Sequence, residues 1–504
     1  MKLWSIIKNV YIYKIWYGWI WIGSLSDWKK ILVKWWALPK STVDIKVVKN
    51  KKDYIQWHII TTHKYDKDLA DWVVFCPHYF IPIWASQQNQ NSHKIGCWWC
   101  KRQIISYHNQ LKLKHDIIKD WFEKIQISLP DLVISPIIWC PLEKWYRNKI
   151  EFSFGVYISW KENIDNRRNL WFHKQWEFSK IVDIDSCWLV SDKANKIFEY
   201  IKKLCFDSDL PVFDQKIRQW FFRHLVIREW FNTNQILVNL SVFEDNLKKT
   251  YNEKWNKFLE TIQKDKILTE NITTFVITYN NWLADTVKSD KSETKVLRWD
   301  WYIHENLKFN LDDNTEISSI FRISPFSFFQ TNTLGAQILF SEAQKMLWYV
   351  KWTILDLYCW TWTIWINILK SGIWSNLIWI EVVEDAIIDA HHNAKINWVE
   401  DNCLFIAAQS EKVFNDNAQL KEKIKDLWAV IVDPPREWLH KNLINFLSEL
   451  KKETDFKLLY ISCNPITMAR DIWILIDNGF KINRLQAVDM FPQTHHIEVI
   501  WMLY

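Results

Sequence analysis

Ile354-Leu355-Asp356-Leu357-Tyr358-Cys359-Trp360-Thr361-Trp362-Thr363-Ile364-Trp365 is an apolar strand that runs into a turn and then into a helical pattern. A strand-to-helix turn of this kind lets a ligand approach the backbone when it is built from glycine, which has no Cβ and accepts positive φ. Here the turn holds tryptophan, the least suitable replacement. The composition repeats the anomaly, with 7 Gly and 37 Trp in 504 residues, where an average chain of this length carries about 35 glycines. Together the two types make up about 9% of the chain, the share expected of ordinary glycine plus a few genuine tryptophans. Trp98 and Trp99, between Cys97 and Cys100, and Trp438, just after Asp433-Pro434-Pro435-Arg436, stand at similar glycine-demanding places. Most tryptophans are therefore read as glycine positions of the native protein, as when UGA codons decoded as glycine by the host are translated as tryptophan. An unusually aromatic protein is the alternative.

With glycine at 360, 362 and 365, the stretch becomes a Gly-x-Gly turn at the carboxyl end of the first strand of an α/β sheet. Glu381 closes the next strand about twenty residues on, where an acidic side chain binds ribose hydroxyls. Buried strands at Thr353–Leu357, Asn376–Glu381, Ala429–Asp433, Lys457–Ser462 and Ile497–Leu503 alternate with helical patterns, which predicts a doubly wound α/β sheet from Ile320 onward. Cys463, in Tyr460-Ile461-Ser462-Cys463-Asn464-Pro465, lies at a strand-to-loop junction among polar neighbours, a position suited to a nucleophile as well as to a structural thiol. Glu498, in Gln493-Thr494-His495-His496-Ile497-Glu498, opens the last strand and is available as a general base.

Upstream the pattern changes. Residues 1–70 alternate short β-like runs with turns, as in a small β-barrel, and hold thirteen Lys against five Asp or Glu. An excess of that size suits a phosphate backbone and equally a solvated lysine-rich face. Residues 71–319 are mixed, with a helical stretch from Ile104 to Ile125 and strands near Lys149 to Ile158 and Gln235 to Phe243. They contain Cys97-Trp98-Trp99-Cys100, a CxxC that Cys76 and Cys187 could extend to a set of four. That set is compatible with zinc, an iron–sulfur cluster or a redox dithiol. The balance of 49% apolar and 24% charged residues excludes disorder and collagen. Lys8 and Lys14 interrupt the early apolar run, so no secretory signal or membrane span is expected. Nine cysteines without a signal favour a reducing cytoplasm. No protein partner is evident.

The ordered set Ser327-Phe328-Phe329-Gln330-Thr331-Asn332, Asp356-Leu357-Tyr358-Cys359, Asp433-Pro434-Pro435-Arg436, Ser462-Cys463-Asn464-Pro465 and Asp489–Glu498 resembles the RNA uracil-5-methyltransferase family over almost the whole chain. The resemblance implies three domains: an OB-like β-barrel of the TRAM type over 1–70, an α+β central domain with a 4Fe-4S cluster over 71–319, and a doubly wound S-adenosylmethionine-dependent methyltransferase domain over 320–504. It matches Cys463 to the nucleophile and Glu498 to the proton acceptor. Gln330, Tyr358, Thr363, Glu381, Gln409 and Asp433 match cofactor-binding positions, and Cys76, Cys97, Cys100 and Cys187 the cluster ligands. The twenty residues between Cys76 and Cys97 exceed the family's spacing and read as an inserted loop. The cysteine set and the barrel resemble the 23S ribosomal RNA branch. Methylation of a single-stranded or flipped uridine in ribosomal RNA is therefore the expected activity. A tRNA methyltransferase is one alternative, and a catalytically silent RNA-binding protein, should the tryptophans be genuine, is another.

Overall fold

The computed structural model describes residues 3–16, 20–24, 30–34, 38–50, 54–66, 68, 75–79, 97, 99–124, 132–156, 168–174, 177–181, 184–213, 221–243, 250–282, 284–310, 316–347, 353–358, 364–370, 372, 376–410, 413, 418–424, 426–434, 436 and 439–504. The chain folds as two compact units. One comprises Met1–Glu143 with Cys463–Trp473 and Leu485–Val499; the other comprises Lys144–Ser462 with Ile474–Arg484 and Ile500–Tyr504.

In the first unit, β1 (Ile6–Trp16), β2 (Ile20–Ser24), β3 (Lys30–Lys34), β4 (Ser41–Asn50) and β5 (Tyr54–Lys64) close a barrel in the order β1-β2-β3-β5-β4. Its sequence cause is visible in β4, where Ser41, Val43, Ile45 and Val47 are buried and their neighbours are not, the period-two pattern of a strand with one wet face. Val10, Ile12, Ile31, Val43 and Ile45 share a core with Ile104, Ile105, Leu113 and Ile117. The last two belong to α1 (Tyr107–Lys124). Ile104 and Ile105 precede this helix because Ser106 caps it, its hydroxyl accepting from the Asn109 amide at 3.4 Å.

β6 (Val133–Ile134) follows, and then come β7 (Lys149–Val156), β8 (Arg168–Trp171), β9 (His173–Lys174), β10 (Glu177–Ile181), α2 (Asp192–Asp207), β11 (Phe222–Glu229), β12 (Ile236–Val242), α3 (Asn252–Lys264), α4 (Lys266–Asn271), β13 (Thr274–Tyr279) and β14 (Glu293–Arg298). Six of these strands make a sheet in the order β14-β13-β12-β11-β7-β8. β15 (Ile303–Asn310) and β16 (Glu316–Ile323) form an antiparallel pair, followed by α5 (Thr333–Leu347).

The last stretch holds β17 (Thr353–Leu357), α6 (Ile364–Lys370), β18 (Asn376–Glu381), α7 (Glu384–Ile396), β19 (Cys403–Ala407), α8 (Ala418–Lys423), β20 (Leu427–Val432), α9 (Lys441–Glu453), β21 (Lys457–Ser462), α10 (Pro465–Asp477), β22 (Ile482–Val488) and β23 (Glu498–Leu503). The sheet order is β19-β18-β17-β20-β21-β23-β22-β6. β17 pairs in parallel with β18 on one side and β20 on the other, so the winding reverses there. The apolar runs read from the sequence are fully buried in β17, as strands covered on both faces must be. Among the described residues no helix is long and apolar enough to cross a membrane.

Tryptophan occupies four of the ten non-glycine positions with positive φ among the described residues: Trp4, Trp145, Trp299 and Trp398, at φ 60° to 68°. All four are exposed. Left-handed backbone costs an L residue roughly 1–2 kcal/mol, and glycine almost nothing.

Candidate active site

The strand register gathers acidic groups at the carboxyl end of β17. Asp356 lies within β17 opposite Trp379 of β18 and Ile431 of β20. Glu381 is the last residue of β18, and Asp433 follows β20 immediately. Asp356 is buried, and its Oδ2 has no hydrogen-bond partner among the described residues. Burial, then the neighbouring Asp433 and Glu381, push its carboxyl well above the usual carboxylate range. Burial raises Asp433 to about 8. The Glu381 carboxylate accepts from the amides of Val382 and Val383 at 2.8 and 2.9 Å, which fixes it at the strand end. Tyr358, directly after β17, has φ +62°, the strained turn geometry found where backbone is shaped for a ligand. Gln409 lies two residues beyond β19 and its carbonyl accepts from the Val413 amide. Thus Tyr358, Glu381, Gln409 and Asp433 share one edge of the parallel sheet, at the switch point where nucleotide cofactors bind. A donor set of carboxylates and strand-end backbone, with one orphaned buried oxygen on Asp356, fits a cationic, ribose-bearing cofactor. The sequence alone gives Asp356 no role; its signal is a lone carboxylate inside an apolar strand. Thr363, like Trp360 and Trp362, lies outside the described residues.

Gln330 belongs to the same unit, in the segment between β16 and α5. Asn148 holds this segment, its Nδ2 donating to the Gln330 carbonyl and to Thr333 Oγ1, each at 2.9 Å. Asn332 caps α5, accepting from the Gly335 amide at 2.9 Å. Arg228 donates to the Ser327 carbonyl at 2.7 Å, and the hydroxyl of Ser327 donates to Asp389.

Cys463 and Glu498 belong to the other unit. Cys463 follows β21, and Asn464 immediately precedes α10, its Oδ1 accepting from the Ile466 amide at 3.2 Å and its carbonyl from the Met468 amide at 3.1 Å. The first turn of a helix favours negative charge nearby. Glu498 opens β23, the neighbour of β21 in the sheet, and is buried. A half-buried thiol just beyond β21 and a buried carboxyl at the start of β23 are group types that can serve as nucleophile and proton acceptor.

Cys76, Cys97 and Cys100 all belong to that unit, and backbone hydrogen bonds tie the first two to the His78-Tyr79 segment. The Tyr79 amide donates to the Cys76 carbonyl at 3.1 Å, and the Cys97 amide donates to the His78 carbonyl at 2.6 Å. Burial, with Cys97 adding to it, pushes the Cys76 thiol up to about 11. A thiol so placed ionises only beside a cation, and an all-sulfur donor set suits iron or zinc. Among the described residues, however, no three His, Cys, Asp or Glu side chains stand in ligating geometry. Cys187 is buried in the second unit, its amide donating to Asn195 Oδ1 at 2.7 Å.

A parallel sheet that reverses at β17, with acidic strand ends at that point, defines a nucleotide-cofactor fold of the methyltransferase kind. Comparison narrows the class. Residues 106–504 match the tRNA (uracil-5-)-methyltransferase family. A protein named as an RNA methyltransferase in Caldanaerobacter subterraneus subsp. tengcongensis is 32% identical over 412 residues, covering 82% of this chain and 83% of that protein. One in Bacteroides thetaiotaomicron is 27% identical over 478 residues, 93% of this chain and 95% of that one. The crystal structure of Pyrococcus abyssi tRNA (uracil-54, C5)-methyltransferase in complex with S-adenosyl-L-homocysteine matches with a TM-score of 0.67 over 99% of this chain and 100% of that chain, at 23% identity, which is a likeness of fold. The chain belongs to the RNA uracil-5-methyltransferase family, whose members depend on S-adenosylmethionine.

Proposed function

We propose that this chain methylates carbon 5 of a uridine in 23S ribosomal RNA, with Cys463 as nucleophile and Glu498 as base. What supports the reading is that Cys463, at the junction of β21 and α10, and Glu498, at the start of β23, fall in one compact unit of a member of this family. Carbon 5 of uracil is a weak nucleophile. Addition of the Cys463 thiolate to carbon 6 forms the S–C6 bond and an enolate, making carbon 5 reactive. S-adenosylmethionine supplies the electrophilic methyl group, and Gln330, Tyr358, Thr363, Glu381, Gln409 and Asp433 are the residues proposed to hold it. Glu498 then takes the carbon 5 proton; that electron pair restores the C5=C6 bond, the S–C6 bond breaks, and the thiolate leaves.

Residues 1–70 serve in this reading as a TRAM-like RNA-binding barrel, 71–319 as a central RNA-binding domain and 320–504 as the methyltransferase domain, in a cytoplasmic protein. Cys76, Cys97, Cys100 and Cys187 hold a 4Fe-4S cluster with a structural role, since methyl transfer needs no electrons. The turn tryptophans are glycine in the native protein. The indoles of Trp365 and Trp379, both fully buried, stand against Asp356 where the cofactor would need room, and glycine there opens the crevice.

The test is to incubate the protein with methyl-labelled S-adenosylmethionine and, separately, 23S ribosomal RNA and tRNA, and to map 5-methyluridine. Product in ribosomal RNA, with the Cys463→Ser variant forming neither product nor covalent adduct, is the expected result. Product confined to tRNA would move the substrate to the class on which the Pyrococcus abyssi enzyme acts. RNA binding without product in either would favour the silent RNA-binding alternative.

A further inference from the structure

α1 carries two polar side chains, Gln110 and Lys114, that are buried beside the half-buried Tyr107 although nothing in the proposed chemistry uses them. Tyr107, Gln110 and Lys114 recur at helical spacing and so share one face. Gln110 and Lys114 reach more than 370 residues along the chain, to the segment that leads into Glu498. Lys114 Nζ donates to Asp489 Oδ1 at 2.8 Å and to the Phe491 carbonyl at 3.4 Å, with both members of the ion pair buried. Gln110 makes a reciprocal clasp: its Oε1 accepts from the Gln493 amide at 3.0 Å, and its Nε2 donates to Gln493 Oε1 at 2.8 Å. The same Nε2 donates to the Ile105 carbonyl at 2.8 Å, tying the clasp to the turn before the helix. The Gln493 carbonyl in turn accepts from the Arg102 amide at 3.3 Å.

Gln493 has φ +66°, a conformation that a glutamine adopts only when its surroundings enforce it. From there the path to Glu498 is short and braced. Thr494 Oγ1 donates to the Phe491 carbonyl at 2.7 Å and accepts from the His496 amide at 3.2 Å. An apolar core helix would bury leucine at these positions; a buried ion pair and a buried amide clasp are what specify one register of a loop.

We propose that Gln110 and Lys114 are positioning residues for the base: α1 holds Asp489–Gln493 in the one backbone path that delivers Glu498 to the carbon 5 proton. The inference rests on the reading of Glu498 above. It makes a specific kinetic statement, because the base acts only after the methyl group has been transferred. Loosening the clasp slows elimination and leaves addition and methyl transfer nearly intact.

The experiment compares the full-length wild type with Gln110→Leu in single turnovers on RNA, following methyl incorporation and, on denaturing gels, the covalent protein–RNA adduct. Elimination is expected to slow about ten- to a hundredfold, the effect of a small misplacement of a catalytic group. Methylated adduct then accumulates, while KM for S-adenosylmethionine stays within about twofold of wild type, since uniform binding is untouched. Gln110→Glu keeps the acceptor for the Gln493 amide and is expected to recover much of the rate. A double variant, Lys114→Met with Asp489→Leu, removes the ion pair whole, an exchange that folded proteins tolerate, and is expected to trap adduct in the same way. A wild-type adduct fraction in both Gln110→Leu and the double variant would overturn the proposal, as would an equal fall of every step together with lost thermal stability. Failure of the wild type itself to form adduct or 5-methyluridine would instead sink the functional reading.

Discussion

The acidic edge of the parallel sheet and the loop before Glu498 solve the same problem, placing a few functional groups to within a hydrogen bond, by different means. At the sheet edge, backbone does the placing. β17 pairs in parallel with β18 throughout and with β20 from Ile354 onward, after a register shift at Thr353, so Asp356, Glu381 and Asp433 are brought together by the ladder itself. In the loop, side chains do it: Gln110 and Lys114 hold Gln493 and Asp489 across 383 and 375 residues of sequence. The sheet edge is therefore expected to survive most single substitutions as a structure while losing ligand affinity. The loop is expected to lose its shape.

The largest effect expected of the sheet edge is on cofactor binding. Glu381→Ala removes a carboxylate that two amides hold at the strand end, and charge-assisted hydrogen bonds to a ribose are worth about 1.5–3 kcal/mol. Isothermal titration should show S-adenosylmethionine binding weakened by about ten- to a hundredfold, with the unfolding midpoint barely moved. A collapse of stability instead would mean that this edge, like the loop, depends on its side chains.

A smaller effect separates the two regions by pH. The folded pKa of Asp433 lies near 8, against the ordinary carboxylate value of 3.8. Between those values the folded protein holds a proton that the unfolded chain has released, so stability falls as pH rises, by at most about 1.4 kcal/mol per pH unit. Chemical denaturation of the unliganded protein from pH 5 to 8 should show a slope of this sign, and Asp433→Asn should make it shallower, the remainder coming from Asp356 and Glu305, whose carboxyls burial also raises. An unchanged slope in the variant would place the titration elsewhere.

The same contrast explains what the sequence makes legible. Strands buried on both faces are continuous apolar runs, so the C-terminal sheet and the strand-end positions of Glu381, Asp433 and Cys463 can be read directly. Asp356 escaped because a carboxylate inside a buried strand looks like core until the register sets Glu381 and Asp433 beside it. The partnership of Lys114 with Asp489 has no local signature at all: a lysine on an amphipathic helix ordinarily faces water, and only the fold shows this one buried. Around the cysteines the sequence offers ligand types and spacing, but the spacing does not say which sulfurs meet. Cys76, Cys97 and Cys100 fall in one unit and Cys187 in the other.

The smallest expected effect concerns the end of α7. Here the Trp398 amide donates to the Lys395 carbonyl and the Val399 amide to the Ala394 carbonyl, each at 3.1 Å, with Asn397 as the C-cap. This is the Schellman arrangement, whose left-handed residue is usually glycine. Trp398 occupies that position at φ +63° with 92% of its surface exposed, so its indole gains almost no burial to offset the strained backbone. Trp398→Gly should therefore raise stability by roughly 1 kcal/mol, measured by denaturation, where removing a tryptophan ordinarily lowers it. Peptides of the protein from its native host should carry the glycine mass at 398, as at 360, 362 and 365. A destabilised variant and a tryptophan mass would together show that the indole stabilises this cap and that tryptophan, not glycine, stands at 398 in the native protein.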